Sequence, residues 1–178
     1  MSELPKKTNT TSGAIEKAVI RNDLQSLTEI ERIQYNFAAC RSLGLNPLTR
    51  PFDYIIQDGK MSLYLNTVGV AQLRAIYGIS VKVKDRSKDD EFIYCTAIAW
   101  DNSGRSEEAT AVLSLCDKYN KPLIGQAKAN LIMKCETKAK RRATLALRGI
   151  PWGDSGEIKS NLGDPPLDIL PTEFDPDF

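Results

Sequence analysis

Apolar positions along this chain change period several times, and each change marks an element. From Thr28 onward they recur at helical intervals, Ile30, Ile33, Phe37 and Leu43, behind the capping-box spacing Thr28-Glu-Ile-Glu31. That pattern predicts a helix ending at Gly44, with Asn46-Pro47 turning the chain, and a shorter helix before it from Ala14 to about Arg21. The period then falls to two. Phe52–Ile56 and Lys60–Leu65 predict a hairpin around Asp58-Gly59. In its second strand Met61, Leu63 and Leu65 share one face, and Lys60, Ser62 and Tyr64 share the other.

Helical spacing returns at Thr67–Tyr77, with Val70, Leu73 and Ile76 directed inward and Gly78 as the stop. Ile79–Lys84 alternates, with Ile79, Val81 and Val83 inward, and the charged run DRSKDDE reads as a loop. Phe92–Trp100 and Arg105–Leu115 predict two strands joined at Asp101-Asn-Ser-Gly104. The last element, Gly125–Ile150, lacks proline inside it and is rich in strong helix formers, so it predicts one helix of about six turns. The order is helix, two strands, helix, three strands, helix. The expected class is α+β: a hairpin and a three-stranded antiparallel meander packed with helices and closed by a long basic helix. The domain is expected over 13–150, with polar, disordered residues at 1–12 and a Pro-, Gly- and Asp-rich disordered segment over 151–178.

Charge changes the picture most at the final helix. Residues 125–150 carry seven cations (Lys128, Lys134, Lys138, Lys140, Arg141, Arg142, Arg148) against Glu136 alone. At about 100° per residue, Lys134, Lys138, Arg141, Arg142 and Arg148 share one side. Ile132, Ala139, Ala143, Ala146 and Ile150 share the opposite side. Leu131 and Leu145 fall inside the basic arc. Exposed helices usually mix signs, so a one-signed ridge on an anchored helix predicts contact with nucleic-acid phosphates. On the hairpin, a lysine and an aromatic ring on one face, Lys60 and Tyr64, form the usual equipment for single strands, where rings stack on bases. The competing readings are a solvated basic helix and an ordinary cross-strand tyrosine.

The net charge of +1 averages two unlike parts. Residues 1–150 hold 23 Lys and Arg against 16 Asp and Glu, whereas 151–178 hold Lys159 against seven acids. The acidic end spaces Asp168, Glu173, Asp175 and Asp177 among Ile169, Leu170, Phe174 and Phe178. That pattern resembles a short docking motif, with Phe174, Asp175, Asp177 and Phe178 at its tip. Histidine is absent, and Cys40, Cys95, Cys116 and Cys135 show no CxxC spacing. His-based catalysis and Cys/His zinc sites are thereby excluded; the cysteines read as buried free thiols, and no metal or cofactor is expected. No apolar run reaches the ~20 residues of a membrane span, and the polar start MSELPKKTNTTSG does not read as a signal peptide.

The run from Asn36 to Gly78, with Asn46-Pro47, Gly59-Lys60 and Gly78 at its corners, resembles phage single-strand annealing recombinases of the RecT/Red-beta type. The segment ANLIMKCETKAKRRATLAL is similar to the closing basic helix of that superfamily. The resemblance covers roughly residues 30–150; the chain differs from better-known members in its short N-terminal part and compact length. It implies a protein without nucleotide hydrolysis that binds single-stranded DNA in a basic groove. It implies assembly as a ring or filament, and annealing of complementary strands in homologous recombination and repair. It places Lys60 on the hairpin, and Lys134, Lys138, Arg141 and Arg142 on the groove-forming helix. The expected setting is the cytoplasm of a bacterial cell, with a phage or mobile element as source.

The tip FDPDF is also similar to the ends of bacterial and phage single-stranded-DNA-binding proteins, which recruit replication and repair partners. The first alternative function is therefore a plain single-stranded-DNA-binding protein with a recruiting tail, for which a small β-barrel is expected. A second is a magnesium-dependent nuclease using Asp53, Asp58 and Lys60; it fits less well, because Asp58-Gly59 is placed as the hairpin turn. No P-loop GxxxxGK[ST] is present, which argues against an ATP-driven recombinase.

Overall fold

A computed structural model describes residues 16–20, 24–57, 59–117 and 119–150. The segments expected to be disordered, and with them Phe174, Asp175, Asp177 and Phe178, lie outside the described residues. The elements are α1 (Glu29–Leu43), β1 (Phe52–Gln57), β2 (Lys60–Leu65), α2 (Thr67–Tyr77), β3 (Ser80–Lys88), β4 (Phe92–Trp100), β5 (Ser106–Ser114) and α3 (Gly125–Arg148). The fold is α+β, as the periodicity predicts. β1 and β2 form a two-stranded antiparallel hairpin, and β3-β4-β5 form a separate antiparallel meander.

Local chemistry sets the boundaries. The α1 capping box is complete: the Thr28 N–H donates to Glu31 Oε2 at 2.8 Å, and the Glu31 N–H donates to Thr28 Oγ1 at 3.3 Å. α1 stops at Gly44, in the left-handed region at φ 69°. Asn46 caps a 3-10 turn over Pro47–Thr49. Asn66 starts α2 by accepting from the Val68 and Gly69 N–H groups at 3.0 and 3.1 Å, while its Nδ2 donates to the Arg50 carbonyl at 2.8 Å. Gly69 is where α2 presses closest on the chain: a Cβ there would lie 2.6 Å from the Pro51 carbonyl oxygen and would run into the Leu65 side chain.

The hydrophobic interior is divided in two, and α3 runs between the parts. One part gathers Leu24, Leu27, Ala39, Cys40, Leu45, Phe52, Leu63, Leu65, Val70 and Leu73, and receives Leu145 from α3. The other lies between the meander and α3, where Ile93, Cys95, Ala97, Ala99, Ala111 and Leu113 meet Cys135, Ala139, Ala143 and Leu147. The small residues let the helix lie close on the sheet. Tyr77 packs against both parts.

Several expectations are corrected. The run DRSKDDE does not begin a loop at Asp85. β3 continues to Lys88, because a bulge between Val83 and Asp85 restores its register and β4 supplies partners as far as Lys88↔Ile93. The short helix expected from Ala14 to about Arg21 is described over Glu16–Ile20, where it is one turn of π-helix. Ile76 is exposed rather than inward. Ala146 is exposed, although it was expected on the buried side of α3. On α1 three of the four expected apolar positions are not buried: Ile30, Ile33 and Phe37 are 66%, 56% and 45% exposed, and the helix packs inward through Ala39 and Cys40, with Tyr35 and Leu43 against the same core.

Candidate nucleic-acid interface

The hairpin and α3 carry the residues expected at a DNA surface, and three contacts fix the hairpin in place. Gln25 Nε2 donates to the Gly59 carbonyl at the turn, at 2.8 Å. The Tyr54 hydroxyl donates to the Arg32 carbonyl on α1, also at 2.8 Å. From α3, Arg141 Nε donates to the Leu65 carbonyl at 2.9 Å, and the guanidinium carbon sits 3.9 Å from the centroid of the Tyr64 ring. Arg141 is only 5% exposed. It therefore does not stand on a solvent-facing ridge, as the helical wheel implied. Its guanidinium meets a carbonyl and an aromatic face, both from β2.

The basic arc of α3 is thus divided along its length. Toward the C-terminus it turns onto the hairpin and α2: Leu145 is buried, Arg141 meets Tyr64, and Arg148 stacks 3.8 Å above the Tyr77 ring. Arg148 itself remains exposed. Toward the N-terminus the same arc carries Lys138 and Lys134, three and seven residues before Arg141. At 1.5 Å per residue these lie about 4.5 and 10.5 Å further along the axis. Lys134 is exposed, and Lys138 and Arg142 are half-buried. Lys60 is exposed at the head of β2, four residues from Tyr64 and so about 13 Å from it along the strand. Tyr64 is half-buried, with one face of its ring taken by Arg141. The open face expected beside Lys60 is therefore partly closed at Tyr64.

The remaining helix cation of the central turns has another task. Lys140 Nζ lies 3.8 Å from Glu136, and Glu136 also binds Arg86 Nε at 2.7 Å, tying α3 to the strand extension past the bulge. The Glu136–Lys140 spacing of four is legible in the sequence; the reach from Arg86 is not. Two platforms were also invisible there: the Leu65 carbonyl that holds Arg141, and the Tyr77 ring beneath Arg148.

Catalytic alternatives find little in the same geometry. Asp53 accepts a hydrogen bond from Asn66 Nδ2 at 3.1 Å, beside the α2 cap. Asp58 lies outside the described residues. Among the described residues no group of three or more His, Cys, Asp or Glu could hold a metal ion. The four cysteines are free thiols, with Cys40, Cys95 and Cys135 buried and Cys116 half-buried. Burial pushes the Cys135 thiol up to about 11. Its Sγ lies 3.6 and 3.5 Å from the Ile93 and Ala111 carbonyl oxygens. Among the described residues no helix is long and apolar enough to cross a membrane. No protein-family model matches the chain, and no curated protein matches it in sequence.

Proposed function

We propose that this protein binds single-stranded DNA without strong sequence preference and promotes annealing of complementary strands, without nucleotide hydrolysis, as a non-enzymatic recombination and repair factor. The observation that carries the proposal is the Arg141 clamp. It joins a hairpin bearing Lys60 and Tyr64 to a helix that carries Lys138 and Lys134 in the turns before Arg141. A strand that meets these cations through its phosphates keeps its base edges available for pairing. The resemblance to annealing recombinases supports the same reading. It also brings the expected assembly as a ring or filament, a setting in the bacterial cytoplasm, and recruitment of a host replication or repair protein through Phe174, Asp175, Asp177 and Phe178.

The plain coating protein is the less favoured reading, because the strands form two open sheets rather than a closed barrel. The deciding experiment mixes two complementary labelled strands with the protein, without ATP. Acceleration of duplex formation well beyond the protein-free rate supports annealing. Tight binding of each strand with no acceleration overturns it in favour of coating. Cleavage of either strand on addition of magnesium overturns it in favour of the nuclease.

A further inference from the structure

α2 buries one side and leaves an apolar stripe on the other. Val70 and Leu73 enter the first core, whereas Val68, Ala71, Ala75 and Ile76 are exposed at helical spacing. Val68 is 45% exposed and Ile76 48%. The 3-10 turn widens the stripe. Gln72 Oε1 accepts from the Asn46 N–H at 2.9 Å, and Gln72 Nε2 donates to Thr49 Oγ1 at 2.6 Å. Between those two anchors Leu48 is held at 85% exposure. A leucine pinned in solvent beside a row of apolar helix positions marks a contact surface.

The chain that builds this surface carries one sign of charge. Residues 41–52 and 66–84 contain no acid, and they include Arg41, Arg50 and Arg74. The carboxylates at its borders are engaged. Asp53 accepts from Asn66 Nδ2 at 3.1 Å. Asp101, next to the Asn102 side chain that lies over Gly78, accepts from the Ser103 and Arg105 N–H groups of its own turn. α3 ends at the same place: Arg148 lies on the ring of Tyr77, the last residue of α2, and Ile150 packs against the first core. Residues 151–178 follow from there, with seven acids against Lys159.

We infer that residues 167–170 of the same chain dock on the α2 stripe, with Leu167, Ile169 and Leu170 against its apolar row and Asp164, Asp168 and Glu173 toward its arginines. The run places three large aliphatic side chains within four positions among acids, which complements an apolar, cationic surface. Pro166 before it and Pro171 after it restrict the backbone, which lowers the entropy lost on docking. The reach is sufficient. The stripe from Val68 to Ile76 is about 12 Å long, and a flexible chain from Ile150 to Leu167 has a root-mean-square span of about 23 Å. A segment tethered at the end of its own site has a high effective concentration there, so a small contact is enough. Phe174 and Phe178 lie past the docked run and stay available to a partner. The docking does not depend on DNA binding.

The test places the apolar photo-crosslinker p-benzoylphenylalanine at position 170 of the full chain. The protein is irradiated without DNA over a dilution series, and the joined peptides are mapped by mass spectrometry. Crosslinks are expected within one chain, on the peptides holding Leu48 and Val68 to Ile76, at a yield that does not change with protein concentration. Ala71→Glu sets a carboxylate in the middle of the stripe at an exposed position, and it should lower that yield about tenfold with an unchanged circular dichroism spectrum. Ala71→Leu should keep the yield. Raising the salt should lower it by about twofold at most, because apolar contact and not charge holds the run. Crosslinks to the peptides bearing Lys134 and Lys138 in place of these overturn the inference, since charge alone then places the segment. Crosslinks between copies, scattered or absent crosslinks, or a yield that Ala71→Glu leaves unmoved also overturn it. Failure of the same preparation to bind an oligonucleotide, with the crosslink intact, counts against the proposed function and leaves the docking standing.

Discussion

Replacing Arg141 with alanine separates two roles that look alike in the sequence. A phosphate ligand and a structural clamp are both arginines on a basic helix face, but they differ in what their loss costs. In the structure Arg141 is buried, donates to the Leu65 carbonyl at 2.9 Å, and lies on the Tyr64 ring. Hydrogen bonds from a charged donor contribute about 1.5–3 kcal/mol, and the carbonyl left without its donor adds to the loss. A desolvated cation on an aromatic face contributes about 2 kcal/mol. These terms overlap, so Arg141→Ala is expected to destabilise the fold by about 3–4 kcal/mol. At about 4 °C per kcal/mol for a domain of this size, the midpoint falls by about 12–16 °C. Arg141→Lys keeps the charge but loses the planar fork, and should cost about half as much. Tyr64→Phe keeps the ring and should be nearly neutral, whereas Tyr64→Ala should weaken the clamp and any stacking on a base. The assay pairs thermal unfolding with a salt titration of single-strand binding. With contacts from Lys60, Lys134, Lys138, Arg142 and Arg148, the log-log slope should be near −3.5 on the ~0.7-per-phosphate scale for single strands. Lys134→Ala should flatten it by about 0.7 with little change in midpoint, because the side chain is exposed. Arg141→Ala should do the reverse at temperatures where it is still folded. If Arg141→Ala leaves the midpoint within a degree or two and flattens the slope, the clamp is wrong and Arg141 is a phosphate ligand.

Gly69→Ala should destabilise by roughly 2 kcal/mol or more, as overpacking does, since the new methyl meets the Pro51 carbonyl at 2.6 Å; unfolding in urea with an unchanged midpoint would refute this. Cys116, the half-buried thiol, should react first with a thiol reagent in native protein, ahead of Cys40, Cys95 and Cys135; peptide mass mapping after a brief pulse reads the order. Burial raises the Cys135 thiol from 9.0 to about 11, so the folded chain keeps a proton that the unfolded chain releases. Stability from this group is intact below about 9 and falls as pH rises toward 11, and Cys135→Ala should flatten that part of the profile. Ending the chain near Gly153 should tighten DNA binding at low salt, because a tethered segment with a balance of −6 competes for the cations of a helix segment with +6; the gain should fade at high salt. Phe174→Ala with Phe178→Ala should keep that competition and lose partner capture, and unchanged low-salt affinity in the truncation would refute the competition.

Much of the fold was legible in one dimension because its signals are local. The capping box at Thr28, the stops at Gly44 and Gly78, and the alternation through Phe92–Trp100 depend on residues within a few positions of each other. The α+β class, the hairpin, the meander and the span of α3 therefore followed from the residues alone. What the sequence could not decide is which face of an amphipathic element is buried when both faces have somewhere to go. On α1 the large apolar residues looked like the core face, yet Ile30, Ile33 and Phe37 stay exposed, and Tyr35, Ala39, Cys40 and Leu43 meet the core. On α3 the leucine inside the basic arc, Leu145, marked a second buried face that a single helical wheel could not resolve. Long-range partners decided the rest. Arg141 reaches a carbonyl 76 positions away in the chain, and that contact turns an apparent phosphate ligand into the bolt between helix and hairpin. Charge and period are written in the sequence; which charges remain for a ligand depends on what the rest of the chain has already folded against them.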